Sequence, residues 1–432
     1  MKIPKAVLFI LKTLNSSGYE AFIVGGCVRD LIRGCVPKDW DIATSALPQQ
    51  VKALFQRTFD TGIQHGTVTV LAEGGQFEVT TYRVDGEYLD GRRPVDVTFS
   101  AEIEADLARR DFTINAIAYN VERGFVDPFD GRGDIARGVI RCVGNAECRF
   151  GEDALRMLRA VRFAAVLGFA VDENAIDAIA KLKKNLENIS AERVREELIR
   201  TITGMYPNAV SLLESTGLMY HALQNRDFLG DLQAIISQLE QLQMLENCST
   251  TTAITLFLQN FSENSEFKKI LHDLRFDNKT IKNVSLFMQF FFEEIPCTRY
   301  EIKKILNIMP AEMFEDLVLL KEIAKTTAHA QKLIEIARDI SAKKECYTLR
   351  DLAINGDDLR ATGISDGKKI GETLARLLDM VMQKPWLNTK EALLTEAVYE
   401  ARDGICNNAH ETMYNNANDT VQSSAHETAP RQ

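Results

Sequence analysis

Phe22-Ile23-Val24-Gly25-Gly26-Cys27-Val28-Arg29-Asp30 and, shortly after it, Lys38-Asp39-Trp40-Asp41-Ile42-Ala43-Thr44 hold an apolar run, a Gly-Gly turn, a short helix and a strand opened by Asp-x-Asp. Side chains alternate faces along a strand, so Asp39 and Asp41 are expected to point the same way. Glycine backbone can approach a phosphate closely, and paired carboxylates suit hard divalent cations. Asp39 and Asp41 are therefore the candidate catalytic and metal-ligating residues, with Mg2+ as the expected ion. The chemistry this implies is phosphoryl or nucleotidyl transfer by a metal clamp. Alone, an Asp-x-Asp is commonly a solvated strand end and a Gly-Gly commonly a turn. Together at this spacing, with Arg29 and Asp30 between them, they are far more specific.

A chain of 432 residues suggests about three domains at roughly 150 residues each. The apolar share of 45% and charged share of 26% are those of an ordinary globular protein. No run of apolar residues is long enough for a membrane span, and no signal peptide is evident. The cysteines at 27, 35, 142, 148, 248, 297, 346 and 406 are scattered without a Cys-x-x-Cys, so reduced thiols in the cytoplasm are expected and zinc is not. The net charge of −10 argues against a nonspecific nucleic-acid binder. Arginines nevertheless concentrate between positions 109 and 200, and Arg suits forked recognition of phosphates and base edges.

Hydrophobic periodicity divides the chain. Residues 3–17 read as a helix, 20–24 as a strand, 26–33 as a helix, 40–44 as the Asp-x-Asp strand and 48–57 as a helix with Pro48 in its first turn. A hairpin is expected over 65–83, turning at Glu73-Gly74-Gly75, and another strand over 117–126. From Asp153 onward the spacing is helical almost without interruption. The fold class is thus α+β: a mixed-sheet head with flanking helices, then all-α segments. The expected domains are a catalytic head at 1–143, a helical neck at 144–206, a body at 207–296 and a tail at 297–403. The polar segment 404–432 is expected to be disordered.

Four further segments carry chemistry-like sets: Arg109-Arg110-Asp111-Phe112-Thr113-Ile114-Asn115-Ala116; Asp127-Pro128-Phe129-Asp130-Gly131; Glu152-Asp153-Ala154-Leu155-Arg156-Met157-Leu158-Arg159-Ala160-Val161-Arg162-Phe163; and Glu192-Arg193-Val194-Arg195-Glu196-Glu197. Read as one helix, the third places Asp153 and Arg156 three apart on a shared face. Asp offers acceptors and Arg donors. Cytosine and adenine each set an amine donor beside a ring-nitrogen acceptor, whereas uracil and guanine reverse the order. The pair therefore fits C and A and mismatches U and G, at about 1–3 kcal/mol per good bidentate contact. The plainer reading is a surface ion pair between the two.

With these segments in hand, the chain resembles the class II, bacterial-type CCA-adding tRNA nucleotidyltransferases of the polymerase-β superfamily. The resemblance is strongest over 20–200. It implies addition of CCA to tRNA 3′ ends from CTP and ATP without a nucleic-acid template, with Asp153 and Arg156 acting as a protein template. It implies a triphosphate cradle of Gly25, Gly26 and Arg29, with Arg159 and Arg162 as candidates to add charge, one of the two being expected to be structural. It places Arg110 and Asp111, with Asn115 of the same motif, at the incoming nucleotide and its ribose. Glu152, Glu192, Arg193 and Glu196 resemble residues that brace the template helix. Glu78, on a strand beside the site, is a possible third carboxylate; a polar strand edge is the alternative.

Three enzymatic alternatives share these features: an A-adding specialist, a CC-adding specialist and a bacterial poly(A) polymerase. Thr61-Gly62-Ile63-Gln64-His65-Gly66-Thr67 and the acidic balance resemble the CCA enzymes more. The resemblance also implies that a loop after the hairpin, here 84–94, serves the switch to ATP, so terminal A is expected to be added. A non-catalytic RNA-binding protein is disfavoured by the intact Asp-x-Asp. A histidine–aspartate phosphohydrolase is disfavoured by the scattering of the six histidines, with His272-Asp273 the only such pair. Basic residues at 268, 269, 279, 282, 368 and 369 are candidates for docking the tRNA body.

Overall fold

The computed structural model describes residues 2–62, 66–86, 97–228, 230–245, 249–261 and 266–398. Most of the loop expected to serve ATP addition (87–94), part of the Thr61–Thr67 segment (63–65) and the polar segment 404–432 lie outside the described residues. The chain forms two compact units, Met1–Met288 and Gln289–Gln432.

In the first unit, α1 (Lys5–Ser16) buries Ala6, Val7, Ile10, Leu11 and Leu14, the single stripe of an amphipathic helix. It leads into β1 (Ala21–Val24), buried at every position. A central strand covered on both faces reads as a continuous apolar run, which is why Phe22-Ile23-Val24 was legible. Next come α2 (Gly26–Ile32), β2 (Asp41–Thr44), α3 (Pro48–Leu54) and β3 (Thr58–Gly62). The hairpin is β4 (Thr67–Ala72) and β5 (Gly75–Thr81). Glu73 at φ 41° and Gly74 at φ 79° form the two-residue turn whose positive φ values match strand twist. Two short pairs follow: β6 (Arg83–Asp85) with β7 (Val97–Phe99), and, beyond α4 (Ile103–Ala108), β8 (Ala118–Asn120) with β9 (Gly124–Val126). The main sheet has the order β3-β4-β5-β2-β1-β8-β9. β2 and β5 are parallel, and the other neighbours are antiparallel. Phe22, Val24, Ala43, Tyr82, Ile103 and Leu107 pack together beneath it.

Helices then dominate, as expected: α5 (Gly131–Arg137), α6 (Ala146–Glu152), α7 (Leu155–Leu167), α8 (Glu173–Leu182), α9 (Ala191–Ile202), α10 (Ser211–Ser215), α11 (Leu218–Ala222), α12 (Leu232–Gln243), α13 (Thr250–Leu258) and α14 (Glu266–Asp273). Beyond 153 the described strand structure is β11 (Ala170–Val171), parallel to β10 (Val139–Ile140). Helix α7 is buried almost all round and packs on α9, whose inner face carries Val194, Glu197, Leu198 and Thr201.

The boundary falls inside α15 (Asn278–Phe291). The second unit continues with α16 (Arg299–Leu306), α17 (Ala311–Ile323), α18 (Ala330–Ala342), α19 (Gly356–Ala361) and α20 (Gly367–Gln383). Leu359, Leu377, Leu378, Val381 and Leu393 form its core. Lys321 is fully buried there, and its Nζ donates to the carbonyls of Phe290, Phe291 and Glu293 at 2.8, 2.8 and 2.6 Å. Those are orphan acceptors at the end of α15, which a buried cation satisfies. Burial lowers the Lys321 ammonium to about 8.

Three expectations change. Helix α3 ends at Leu54, short of 57, and β3 follows, an edge strand with an irregular register against β4. Its pairing is non-local, and Thr58-Phe59-Asp60-Thr61-Gly62 has no alternating pattern to betray it. The 117–126 segment is a tight hairpin rather than one strand. Asp39 precedes β2 instead of opening it, because pairing with β1 stops at Val24↔Asp41, where Gly25 turns the chain away. Face parity along a strand therefore does not place Asp39. Among the described residues, no helix is long and apolar enough to cross a membrane, and the six described cysteines are free.

Candidate active site

The site forms where β1 ends and β2 begins. Antiparallel pairing of Val24 with Asp41 brings the glycine turn and the carboxylate to one end of the sheet. Gly25 has φ 77° and ψ −136°, a conformation reserved for glycine. A Cβ there would lie 2.8 Å from Nη1 of Arg110 and 3.9 Å from Oδ2 of Asp41. Gly26 opens α2, which carries Arg29. The Arg29 guanidinium donates to Asn115 Oδ1 at 2.8 Å and to Asp30 Oδ1 at 2.9 Å, with its carbon 5.3 Å above the Phe163 ring.

Asp41 stays open to solvent, yet the surrounding protein desolvates its carboxyl enough to raise its pKa. Arg110 opposes that rise, and the charge of Asp39 adds to it. Two exposed carboxylates near enough to repel one another are hard oxygen donors, the kind a divalent cation takes. Glu78 stands in register with Asp41 on the neighbouring parallel strand. Among the described residues, no three His, Cys, Asp or Glu side chains gather into a closed metal cage. Two open oxygen donors suit a divalent cation that completes its coordination with other oxygens.

The opposite wall comes from α4 and the single turn Thr113–Asn115. Asp106, 1% exposed, holds two arginines: Arg109 on Oδ1 at 3.0 and 2.7 Å, and Arg110 on Oδ2 at 3.1 Å. Asp111 Oδ1 accepts from the Phe112 amide at 2.8 Å and from Asn115 Nδ2 at 3.3 Å. Its Oδ2 takes the Arg159 guanidinium at 2.8 and 2.7 Å. Burial works against its charge, but Arg159 outweighs burial and holds the carboxyl at about 2.

The third wall is a break between α6 and α7. Asp153 has φ −144° and ψ 104°, so the helix expected to run through it is two helices. Its Oδ1 accepts from the Leu155 amide at 3.0 Å, capping α7 as Asp does at helix starts. Its Oδ2 takes Arg193 Nη2 from α9 at 2.8 Å. Arg156 is held instead by Glu152 at 2.6 Å and by the carbonyls of Arg149 and Arg109 at 3.1 and 3.2 Å. The acceptor and the donor of the expected base-reading pair are thus each fixed by a different partner.

These walls enclose a cavity of about 500 Å3 lined by Gly25, Gly26, Arg29, Asp41, Arg109, Arg110, Asp111, Asn115, Asp153, Arg156, Arg159, Phe163 and Arg193. Its size is ordinary for a small-molecule site. Six arginines against three aspartates make it cationic in an acidic chain. Of Arg159 and Arg162, one of which was expected to be structural, Arg159 lines the cavity and Arg162 does not. Arg162 is 9% exposed, paired with Glu197 at 2.5 Å and stacked 4.0 Å from the Phe163 ring. Of the expected braces, Glu152 and Arg193 touch Arg156 and Asp153, while Glu192 and Glu196 are exposed on α9. Asp106, Arg109, Phe163 and Glu197 were not assigned from sequence. The one signal for Glu197 was its place on the apolar stripe of α9, where a carboxylate must find a partner.

Residues 21–141 match the poly A polymerase head domain, 168–227 an RNA- and SrmB-binding site of polymerase A, and 245–397 a tRNA nucleotidyltransferase domain 2. The CCA-adding enzyme of Lactiplantibacillus plantarum is 37% identical over 393 residues, covering 89% of this chain and 93% of that protein. That of Lactobacillus johnsonii is 36% identical, covering 91% and 96%. The crystal structure of the Bacillus stearothermophilus CCA-adding enzyme in complex with CTP superposes with a TM-score of 0.79 at 32% identity, over 94% of this chain and all of that one. A Thermotoga maritima CCA-adding enzyme complexed with tRNA shares the fold, with a TM-score of 0.59 at 20% identity. With that identity sustained over most of its length, the chain belongs to the family of CCA-adding enzymes.

Proposed function

We propose that this protein builds the CCA end of tRNA, adding C, C and then A from CTP and ATP and releasing pyrophosphate at each step. The observation that carries the reading is the cavity itself. One end holds an open carboxylate beside a glycine turn, and another holds an acceptor and a donor fixed independently, with arginines between.

Asp39 and Asp41 are the residues to hold Mg2+; Glu78 stands in register with Asp41 on β5 but, among the described residues, does not gather with them into a three-carboxylate cluster, which favours its reading as a polar strand residue. Bound there, the ion supplies charge neutralisation for the triphosphate and acidity for the primer hydroxyl. The glycine backbone at 25–26 and the guanidinium of Arg29 orient the phosphates. Arg110 and Asp111, with Asn115, meet the sugar side of the nucleotide. Arg159, paired with Asp111 on the cavity wall, adds charge toward the phosphates. Asp153 accepts from the exocyclic amine of C or A, and Arg156 donates to the adjacent ring nitrogen. U and G leave both groups unsatisfied, which is the costly kind of mismatch. Residues 1–143 serve as catalytic head, 144–206 as the neck carrying the reading pair, and 207–296 and 297–403 as body and tail docking tRNA.

The test is extension of tRNA transcripts lacking A, CA or CCA, with CTP and ATP given separately and together. Full CCA is expected only with both. A product that stops at CC, or a transcript that never receives C, makes the enzyme a partial adder. A long A tract makes it a poly(A) polymerase.

A further inference from the structure

The segment Asp127-Pro128-Phe129-Asp130-Gly131 and the helix it opens contribute no residue to the cavity lining, yet they pack tightly against Thr113, which begins the Thr113–Asn115 turn. Asp127 accepts from the amides of Gly131 at 2.7 Å and Arg132 at 2.9 Å, fixing the start of α5. A Cβ on Gly131 would fall 2.2 Å from the carbonyl oxygen of Thr113, so only glycine allows this approach. One turn on, Asp134 is 1% exposed. Its Oδ2 accepts from the Thr113 hydroxyl at 2.5 Å and forms an ion pair with Arg141 at 2.7 Å, and its Oδ1 accepts from Arg137 at 2.6 Å.

Thr113 is itself fully buried and begins the turn that carries Asn115. Asn115 reaches three cavity residues: its Oδ1 accepts from Arg29, its Nδ2 donates to Asp111, and its carbonyl accepts from Arg110. We propose that Asp134 is a positioning residue for nucleotide binding, acting through the Thr113 hydroxyl to hold the turn from which Asn115 sets Arg29, Arg110 and Asp111. Two arginines already balance the Asp134 charge, so the hydroxyl contact fixes geometry rather than neutralising a buried ion. Small displacements of such supporting contacts are felt at a site far more than their own strength suggests. The inference rests on the cavity being the nucleotide site.

The test compares Thr113→Val and Thr113→Ala, which lack the hydroxyl, with Thr113→Ser, which keeps it. CTP and tRNA KM values and melting temperature are measured for the full-length protein. Alanine is included because the valine methyl would crowd the carboxylate. The expected result is a rise of about tenfold in KM for CTP in the hydroxyl-free variants, an unchanged tRNA KM, and recovery to within about threefold in serine, the scale of a lost hydrogen bond. A lowered melting temperature with unchanged CTP KM, or serine behaving like alanine, would overturn the proposal. Arg29→Ala is run alongside: unchanged CTP KM in that variant sinks the assignment of the cavity itself, a failure distinct from that of Asp134.

Discussion

At the scale of single residues, Asp153 and Arg156, the proposed base-reading pair, are each fixed from outside the pair. An unsupported Asp or Arg would spend binding energy on ordering its own side chain. Asp153 is instead held by Arg193 and the Leu155 amide, and Arg156 by Glu152 and two carbonyls. The remaining acceptor and donor capacity faces the cavity in a set direction. The prediction is that Arg193→Ala keeps C and A addition measurable but relaxes choice, because Asp153 can then adapt to a ring N–H as well as to an amine. Misincorporation of UTP relative to CTP should rise about tenfold, the worth of one positioned hydrogen bond. The measurement is the ratio of kcat/KM values for the two nucleotides on one tRNA. A fall in rate with an unchanged ratio would mean that Arg193 supports the fold alone.

At the scale of elements, the glycine turn between β1 and α2 sets how near the carboxylate end of the sheet comes to the arginines. Gly25→Ala should strain the backbone at φ 77° and press a methyl toward Arg110 Nη1. A strained non-glycine residue costs about 1–3 kcal/mol. Turnover should fall at least tenfold while tRNA affinity, read by filter binding, holds; near-normal turnover would show that the close approach is dispensable. The same elements show what a sequence carries. Strand β1, the β4–β5 hairpin and α1 were legible because periodicity and turn chemistry are local. The break at Asp153 was not, since Glu152-Asp153-Ala154-Leu155-Arg156 reads as uninterrupted helix. Only the cap to Leu155 and the reach of Arg193 from α9 make the extended conformation favourable. Asp39 was misplaced for a related reason: where β2 starts depends on where β1 ceases to pair. The membership of the cavity was largely legible as motifs. Which arginine turns inward was not, because Arg159 and Arg162 differ only in their partners, Asp111 and Glu197.

At the scale of the whole molecule, the charge balance poses the problem of RNA binding. A chain of net charge −10 repels a polyanion at long range unless basic groups are gathered locally. In the first unit, Lys268 and Lys269 on α14 and Lys279 and Lys282 on α15 are all exposed. On α14 the buried stripe Phe267, Ile270 and Leu271 leaves the two lysines on the outer side. In the second unit Lys368 and Lys369, on α20, are exposed as well. Phosphate contacts release counterions, so affinity depends on salt with a slope of about 0.7–0.9 per contact. Replacing Lys268, Lys269, Lys279 and Lys282 by Glu should weaken tRNA binding at least tenfold and flatten the salt slope by up to about 3.6, the sum of four lost contacts. The cavity lies on other elements, so KM for CTP at saturating tRNA should stay within about twofold. The check is a set of tRNA dissociation constants across a salt series for the wild type and the quadruple variant. An unchanged slope would remove α14 and α15 from the tRNA path and leave Lys368 and Lys369 as the pair to reverse next. A changed CTP KM with an unchanged slope would mean that the substitutions had disturbed the fold instead of a docking surface.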